Sequence, residues 1–148
     1  MNTYNGLITS LESNDIFVFG SNTQGRHGKG AALWAIKNAG AIYGQARGLQ
    51  GMSYAIVTKD LTKSIHPSIS KQDIIFQIID LYDYAEIMPN NRFMVAYSGS
   101  GINLNGYTNS EMAVMFQLAA RNSIPANIYF EAGFADLMYN PKTVKYES

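Results

Sequence analysis

The sequence contains no cysteine, which excludes disulfide bonds, thiolate metal ligands and a cysteine nucleophile. We therefore expect a protein suited to a reducing compartment, the cytoplasm. Its two histidines, His27 and His66, lie far apart in the chain and fall in no metal-binding motif. We expect no metal site and no cofactor.

Charge is scarce and balanced. Charged residues make up 15% of the chain, with 11 basic and 11 acidic side chains. A chain without excess positive charge is not expected to bind nucleic acid through its phosphates. No apolar run approaches the ~18 residues of a membrane helix, and the first residues lack the pattern of a signal peptide. The sequence thus predicts a soluble, unprocessed protein without membrane association.

Internal repeats, low-complexity tracts and proline-rich linkers are also absent, so we predict that all 148 residues form one domain. Hydrophobic residues, at 47%, suffice for a real core. The oligomeric state is left open by the sequence.

The apolar residues that are present fall in short runs typical of strands buried on both faces. These runs cover residues 16–19, 54–57, 93–97 and 127–130. Capping-box patterns at Ser70 and Thr108 predict the starts of two helices, and a third helix is predicted over residues 31–38. The alternation predicts an α/β fold, a three-layer α/β/α sandwich around a mainly parallel, mixed sheet.

Glycine is concentrated at the ends of two predicted strands. Residues 19–30 form a first glycine loop and residues 98–107 a second, and each leads into a predicted helix. Helix N-termini present free N–H groups and partial positive charge, and glycine lets an anion approach the backbone closely. The two loops therefore predict a site for a phosphate-bearing nucleotide at the carboxyl ends of the strands. The alternative, that tight turns alone require these glycines, stays open.

Four segments carry motifs in a fixed order: residues 6–9 read GLIT, 15–22 DIFVFGSN, 28–40 GKGAALWAIKNAG and 100–107 SGINLNGY. This series resembles the macro domains, which read G-D-I-T, D-A-I-V-N-A-A-N, a glycine loop with an A-I-x-x-A-A-G helix, and S-T-G-[IV]-x-G-Y. The resemblance implies a macro-domain-like sandwich that binds ADP-ribose. Some members of the family also hydrolyse ADP-ribosyl bonds.

Carried over by position, the resemblance implies ligand contacts in both loops, with Asn22 at the distal ribose. The implied ligand-binding residues are Gly20, Ser21, Asn22, Gly28, Gly30, Ala31 and Ala32 in the first loop, and Ser98, Gly99, Ser100, Gly101, Ile102 and Tyr107 in the second. Leu7 stands where the family has the aspartate that bonds adenine. A relative of ADP-ribose, such as another NAD-derived nucleotide, is therefore also expected as a ligand.

Catalytic residues are harder to assign. Asp60 is a candidate base and His27 a second candidate group, but Asp60 also suits a solvated turn, and His27 also suits a bond to a backbone carbonyl or a phosphate. Arg47 either reaches a phosphate or belongs to a surface connection. The leading hypothesis is binding or sequestration of the nucleotide. The alternatives are a hydrolase of ADP-ribosyl groups or of an NAD-derived signal, and an interaction domain without ligand.

Overall fold

The computed structural model describes residues 1–142 and contains one six-stranded sheet with four helices in that part of the chain. The strands are β1 (Asn2–Tyr4), β2 (Asp15–Asn22), β3 (Gly48–Gln50), β4 (Ser53–Lys59), β5 (Arg92–Val95) and β6 (Ile128–Glu131). The helices are α1 (Gly30–Asn38), α2 (Lys71–Ile87), α3 (Asn109–Leu118) and α4 (Ala132–Tyr139). The strands and helices alternate along most of the chain, as the α/β prediction requires.

The strands are arranged in the order β1-β6-β5-β2-β4-β3, and every neighbouring pair is parallel except β3 with β4. The sheet is therefore mixed but mainly parallel, which confirms the prediction. The central strand β2 is apolar from Ile16 to Phe19 because both of its faces are covered.

Helices lie against both faces of the sheet. Ile16 and Val18 of β2 face a large core that includes residues of α2, α3 and α4. Phe17 and Phe19 face the opposite way, into a smaller core with Ala32 and other residues of α1. This arrangement is compatible with a three-layer sandwich, with three helices on one face and one on the other.

Local sequence signals place the helix starts correctly. Ser70 accepts a hydrogen bond from the Asp73 amide (3.1 Å), and Thr108 and Glu111 form a complete capping box. Three short elements, β1, β3 and α4, were not predicted, and the strand predicted over residues 93–97 ends at Val95. Within residues 1–142, no helix combines the length and the hydrophobicity that a membrane crossing demands.

Candidate functional site

The two glycine loops leave neighbouring strands and turn to opposite faces of the sheet. Strands β2 and β5 are paired in parallel, with Val18 opposite Val95, and the Ala96 amide bonds the Val18 carbonyl (2.8 Å). The first loop then leads to α1 on one face, and the second leads to α3 on the other. Loops that diverge in this way leave a crevice beyond the carboxyl ends of the strands, where ligands of parallel sheets bind. We call this feature the β2/β5 crevice.

The N-terminus of α1 has no cap. Its N-cap residue, Lys29, makes no side-chain bond to the helix, and the first turn contains no acidic residue. The amides of residues 27–32 donate to no acceptor within the described chain. Arg26 and Lys29 are both exposed beside these amides. This loop therefore offers several N–H donors and two cations to an anion.

The other three helices of the described chain begin with a side-chain cap. Ser70 caps α2, Thr108 with Glu111 caps α3, and the Glu131 carboxylate caps α4. The hydroxyl or carboxylate at those positions already accepts one or two of the orphan amides that an anion would bond. The site is therefore asymmetric, because only the first loop ends in an open helix terminus.

Gly28 is unusual among the 13 glycines. At the other twelve, either a positive φ angle or an atom within 3.4 Å of an added Cβ accounts for the glycine. Gly28 has no positive φ angle, and no other atom of residues 1–142 lies within 4 Å of its added Cβ. The folded chain itself therefore gives no reason for glycine at this position. A ligand that approaches the backbone would give one.

In the second loop, the amides that are free to bind a ligand start at Gly101, and not at Gly99 as the resemblance implies. The Gly99 amide is bonded to Glu131 Oε1 (2.7 Å), and the Ser100 amide faces Ser98 Oγ (3.3 Å). The amides of residues 101–106 donate to no acceptor within residues 1–142. Gly101 and Ile102 therefore keep free donors, whereas Gly99 fixes the start of the loop instead of offering its amide.

Asn22 shapes the first loop from within. Its Oδ1 accepts bonds from the amides of Arg26 (2.9 Å) and Gln24 (3.3 Å), and its Nδ2 donates to the Arg26 carbonyl (2.9 Å). The side chain is thus turned into the loop. The ribose contact expected of Asn22 is not available in this arrangement, because these backbone groups occupy its polar atoms.

His27 lies beneath the first loop and not in the crevice. It is 1% exposed, its ring packs edge-on against Phe19, and its Nε2 contacts the Gln45 carbonyl (3.0 Å) and Gln50 Oε1 (3.2 Å). Both of these partners are acceptors, so Nε2 carries a hydrogen. His27 therefore fastens the loop to residues 45–50, and the structure offers no support for a catalytic role.

Asp60 belongs to a turn that reaches the first loop. Its Oδ1 accepts bonds from the Thr62 hydroxyl (2.7 Å), the Thr62 amide (2.9 Å) and the Thr23 hydroxyl (3.4 Å). The bonds from Thr62 are the main reason why the pKa of Asp60 is lowered. A carboxylate held in its charged form is a weak base. The geometry favours the turn interpretation of Asp60.

Several other candidates also serve the fold. Tyr107 is buried and donates its hydroxyl to the Ile69 carbonyl (2.6 Å). Arg47 forms an ion pair with Asp80 of α2 and so is committed away from the loops. Ala32 packs into the smaller core. These residues build the walls of the crevice or lie outside it.

Ser21, Gly20 and Ala31 occupy the inner part of the first loop and its helix. Ser21 is 5% exposed, and Gly20 lies close to the Tyr97 hydroxyl, where an added Cβ would come within 2.5 Å. Ala31 and Gly30 stand in the first turn of α1, where their amides are free. Of this group, only the amides at the helix start can meet an anion in the crevice.

Residues 60–69, between β4 and α2, contact both glycine loops. The sequence did not indicate these contacts. At one end Thr23 bonds Asp60 and accepts from the Leu61 amide (3.2 Å). At the other end Gly106 packs against the backbone of residues 66–67. The segment therefore fixes the spacing of the loops. No local motif reports contacts between residues this far apart in the chain.

Two surface cavities lie outside the β2/β5 crevice. One of about 380 Å³ lies between α2 and α3 and is lined partly by Lys71 and Glu111, which bond each other (3.2 Å). The other, of about 310 Å³, is lined by residues 63–65, 67 and 68. Neither includes the uncapped start of a helix, which the first loop presents. The open end of α1 therefore distinguishes the first loop from both cavities.

Comparison of the chain with protein-family models, with curated proteins and with solved structures finds no match. The similarity to macro domains is thus confined to the short motifs in the sequence.

Proposed function

We propose that this protein binds ADP-ribose or a related NAD-derived nucleotide, with the pyrophosphate in the β2/β5 crevice. The observation that carries the proposal is the open N-terminus of α1, with free amides over residues 27–32. Backbone amides and a helix dipole bind phosphate without any specific side chain. The unexplained glycine at position 28 supports the same approach of a ligand.

Charge and apolar surface complete the proposed site. Arg26 and Lys29 add positive charge next to the amides, and the amides of Gly101 and Ile102 face the ligand from the second loop. Ile102 is 93% exposed and Leu7 is 88% exposed, and both follow strands that end at this edge of the sheet. Exposed aliphatic side chains suit the face of a base, so apolar packing replaces the polar adenine contact that an aspartate at position 7 would make.

Binding is favoured over hydrolysis by the state of the candidate catalytic groups. His27 is buried and hydrogen-bonded to Gln45 and Gln50, and Asp60 is a charged carboxylate within a turn. Asp60 nevertheless reaches the first loop through Thr23, which keeps a hydrolase acting on ADP-ribosyl groups as the second candidate. Turnover of an ADP-ribosylated peptide that disappears in Asp60→Ala would establish the hydrolase. Binding without turnover supports the leading proposal.

The test is a calorimetric titration of the protein with ADP-ribose, NAD⁺, ADP, AMP and inorganic pyrophosphate. We expect ADP-ribose to bind more tightly than pyrophosphate, since the base and ribose add contacts. A ligand present at 100 times its dissociation constant stabilises the fold by about 2.7 kcal/mol, so thermal shifts provide a second readout. A panel in which no nucleotide binds refutes the proposal and favours an interaction domain.

Gly28→Ala separates a ligand effect from a folding effect. The new methyl group meets no protein atom within 4 Å, so we expect unfolding at an unchanged temperature. The same methyl group would stand between the loop and the phosphate, so we expect the affinity for ADP-ribose to fall. Ser123→Ala, in a loop at the opposite edge of the sheet, is the matched control and leaves both quantities unchanged.

A further inference from the structure

Tyr97 lies where the β2/β5 crevice begins, between the carboxyl end of β5 and Gly20 of β2. It stands just past the end of β5, and its ring packs against Phe134 and Phe116, with centroid distances of 5.7 and 6.0 Å. Its hydroxyl reaches across to β2, where a Cβ added to Gly20 would lie 2.5 Å away. The side chain therefore joins the two strands from which the two glycine loops depart.

The Tyr97 hydroxyl is shielded from solvent and has no hydrogen-bond partner within residues 1–142. The Thr58 hydroxyl lies on the same side of Gly20 but is directed at the Ser21 carbonyl (3.4 Å). Burial raises the pKa of Tyr97 to about 12, against a smaller lowering by a contact with the Thr58 hydroxyl, which does not meet the geometry of a hydrogen bond. The hydroxyl is thus a proton donor at neutral pH, and a buried donor without a partner destabilises the fold.

Two other buried tyrosines in this protein have partners for their hydroxyls. The Tyr82 hydroxyl donates to the Phe116 carbonyl (2.6 Å), and the Tyr107 hydroxyl donates to the Ile69 carbonyl (2.6 Å). A phenylalanine at position 97 would keep the aromatic packing and remove the unpaired hydroxyl. An unpaired buried group of this kind in a native fold calls for an explanation, and its place beneath the crevice suggests one.

We propose that Tyr97 is a specificity-determining residue whose hydroxyl donates a hydrogen bond to an oxygen of the bound nucleotide, on the pyrophosphate or the distal ribose. This inference rests on the proposed function. Because the hydroxyl is shielded, the nucleotide reaches it only with a local movement of the surrounding strand ends. The proposal predicts two opposite effects of the Tyr97 hydroxyl: it lowers the stability of the free protein, and it raises the affinity for the nucleotide.

The test compares Tyr97→Phe with the unmodified protein in thermal unfolding and in titrations with ADP-ribose and ADP. We expect Tyr97→Phe to unfold about 2–4 °C higher without ligand and to bind ADP-ribose about tenfold more weakly. Tyr82→Phe is the matched control, because it removes a hydroxyl that has a partner, on α2 and outside both glycine loops. We expect it to unfold at a lower temperature and to bind with unchanged affinity.

The ligand comparison locates the bond. An equal loss of affinity for ADP and ADP-ribose assigns it to the pyrophosphate, and a loss for ADP-ribose alone assigns it to the distal ribose. Affinity in Tyr97→Phe within about twofold of the unmodified protein overturns the inference but leaves the proposed function intact. A lower unfolding temperature in Tyr97→Phe also overturns it, because the hydroxyl then has a partner in the free protein. If the unmodified protein binds no nucleotide, the proposed function and the inference fail together.

Discussion

Glu131 connects the architecture of the fold to the second glycine loop, and its removal tests that connection. Its carboxylate accepts three backbone N–H bonds, from Gly99 (2.7 Å), Gly133 (2.8 Å) and Phe134 (3.0 Å). Two of these bonds cap α4, and the third anchors the start of the loop. Glu131→Ala therefore removes a helix cap and a tertiary contact at once.

The expected cost follows from those bonds. Loss of an N-cap side chain costs about 0.5–2 kcal/mol. The Gly99 amide then loses its partner as well, and because Gly99 is half-buried, water replaces part of that bond. We expect a total near 2 kcal/mol, which lowers the unfolding temperature of a domain of this size by about 4–8 °C.

The assay is thermal unfolding followed by circular dichroism at neutral pH, with Glu86→Ala as the control. Glu86 is exposed on α2 and makes no hydrogen bond or ion pair within residues 1–142, so its removal leaves the unfolding temperature unchanged. Titration with ADP-ribose provides the functional readout. If the second loop contributes amides to the ligand, Glu131→Ala also weakens binding.

The pH dependence of stability gives a second test of the role of the Glu131 carboxylate. Burial acts to raise the pKa of Glu131, but the amides of Gly133, Gly99 and Phe134 together lower it below the ordinary value of 4.5. A carboxylate with a lowered pKa stabilises the fold above its unfolded value, and that contribution is lost as the pH falls through the folded value. The difference in unfolding temperature between the unmodified protein and Glu131→Ala therefore becomes smaller below about pH 4.5. Unfolding of Glu131→Ala at the temperature of the unmodified protein, at neutral pH, would refute this account.

Three further predictions concern the fold and the first loop. Asp15→Ala removes a buried carboxylate that bonds Arg92 twice (2.7 and 3.0 Å), and we expect a loss of about 2 kcal/mol in urea unfolding. Gly25→Ala forces a Cβ to within 2.5 Å of the Gly44 backbone at a φ of 63°, so we expect a lower unfolding temperature and weaker ADP-ribose binding in the same variant. Arg26→Glu places a negative charge beside the free amides, so we expect weaker ADP-ribose binding. Salt screens this charge, so we expect the loss of affinity relative to the unmodified protein to become smaller as salt is added in the titration.

The central strands and the helix starts were predictable because their signals are local. The continuous apolar run of Ile16–Phe19 indicates a strand with both faces covered, and the structure places it at the centre of the sheet. The Thr108 capping box brings its two partners together within one helical turn. The missed elements β1 and β3 have three residues each, too few for an alternation pattern to be recognised.

The sequence also indicated which loops lie at the carboxyl edge of the sheet, since each follows a strand and precedes a helix. It did not indicate which of their polar groups remain free. The Asn22 side chain is hydrogen-bonded to the backbone of its own loop, and the Gly99 amide donates to Glu131. The His27 ring is hydrogen-bonded to Gln45 and Gln50.

By itself, then, the sequence determined the α/β class and the positions of the two glycine loops, because apolar periodicity and capping depend on residues a few positions apart. For residues 1–142, the tertiary structure alone decided that the first amides of α1 are open and that the Tyr97 hydroxyl reaches Gly20 without a hydrogen-bond partner. The physical reason is that a hydrogen bond is satisfied by whichever group the fold brings within about 3 Å. At this crevice those groups come from segments that are widely separated along the chain.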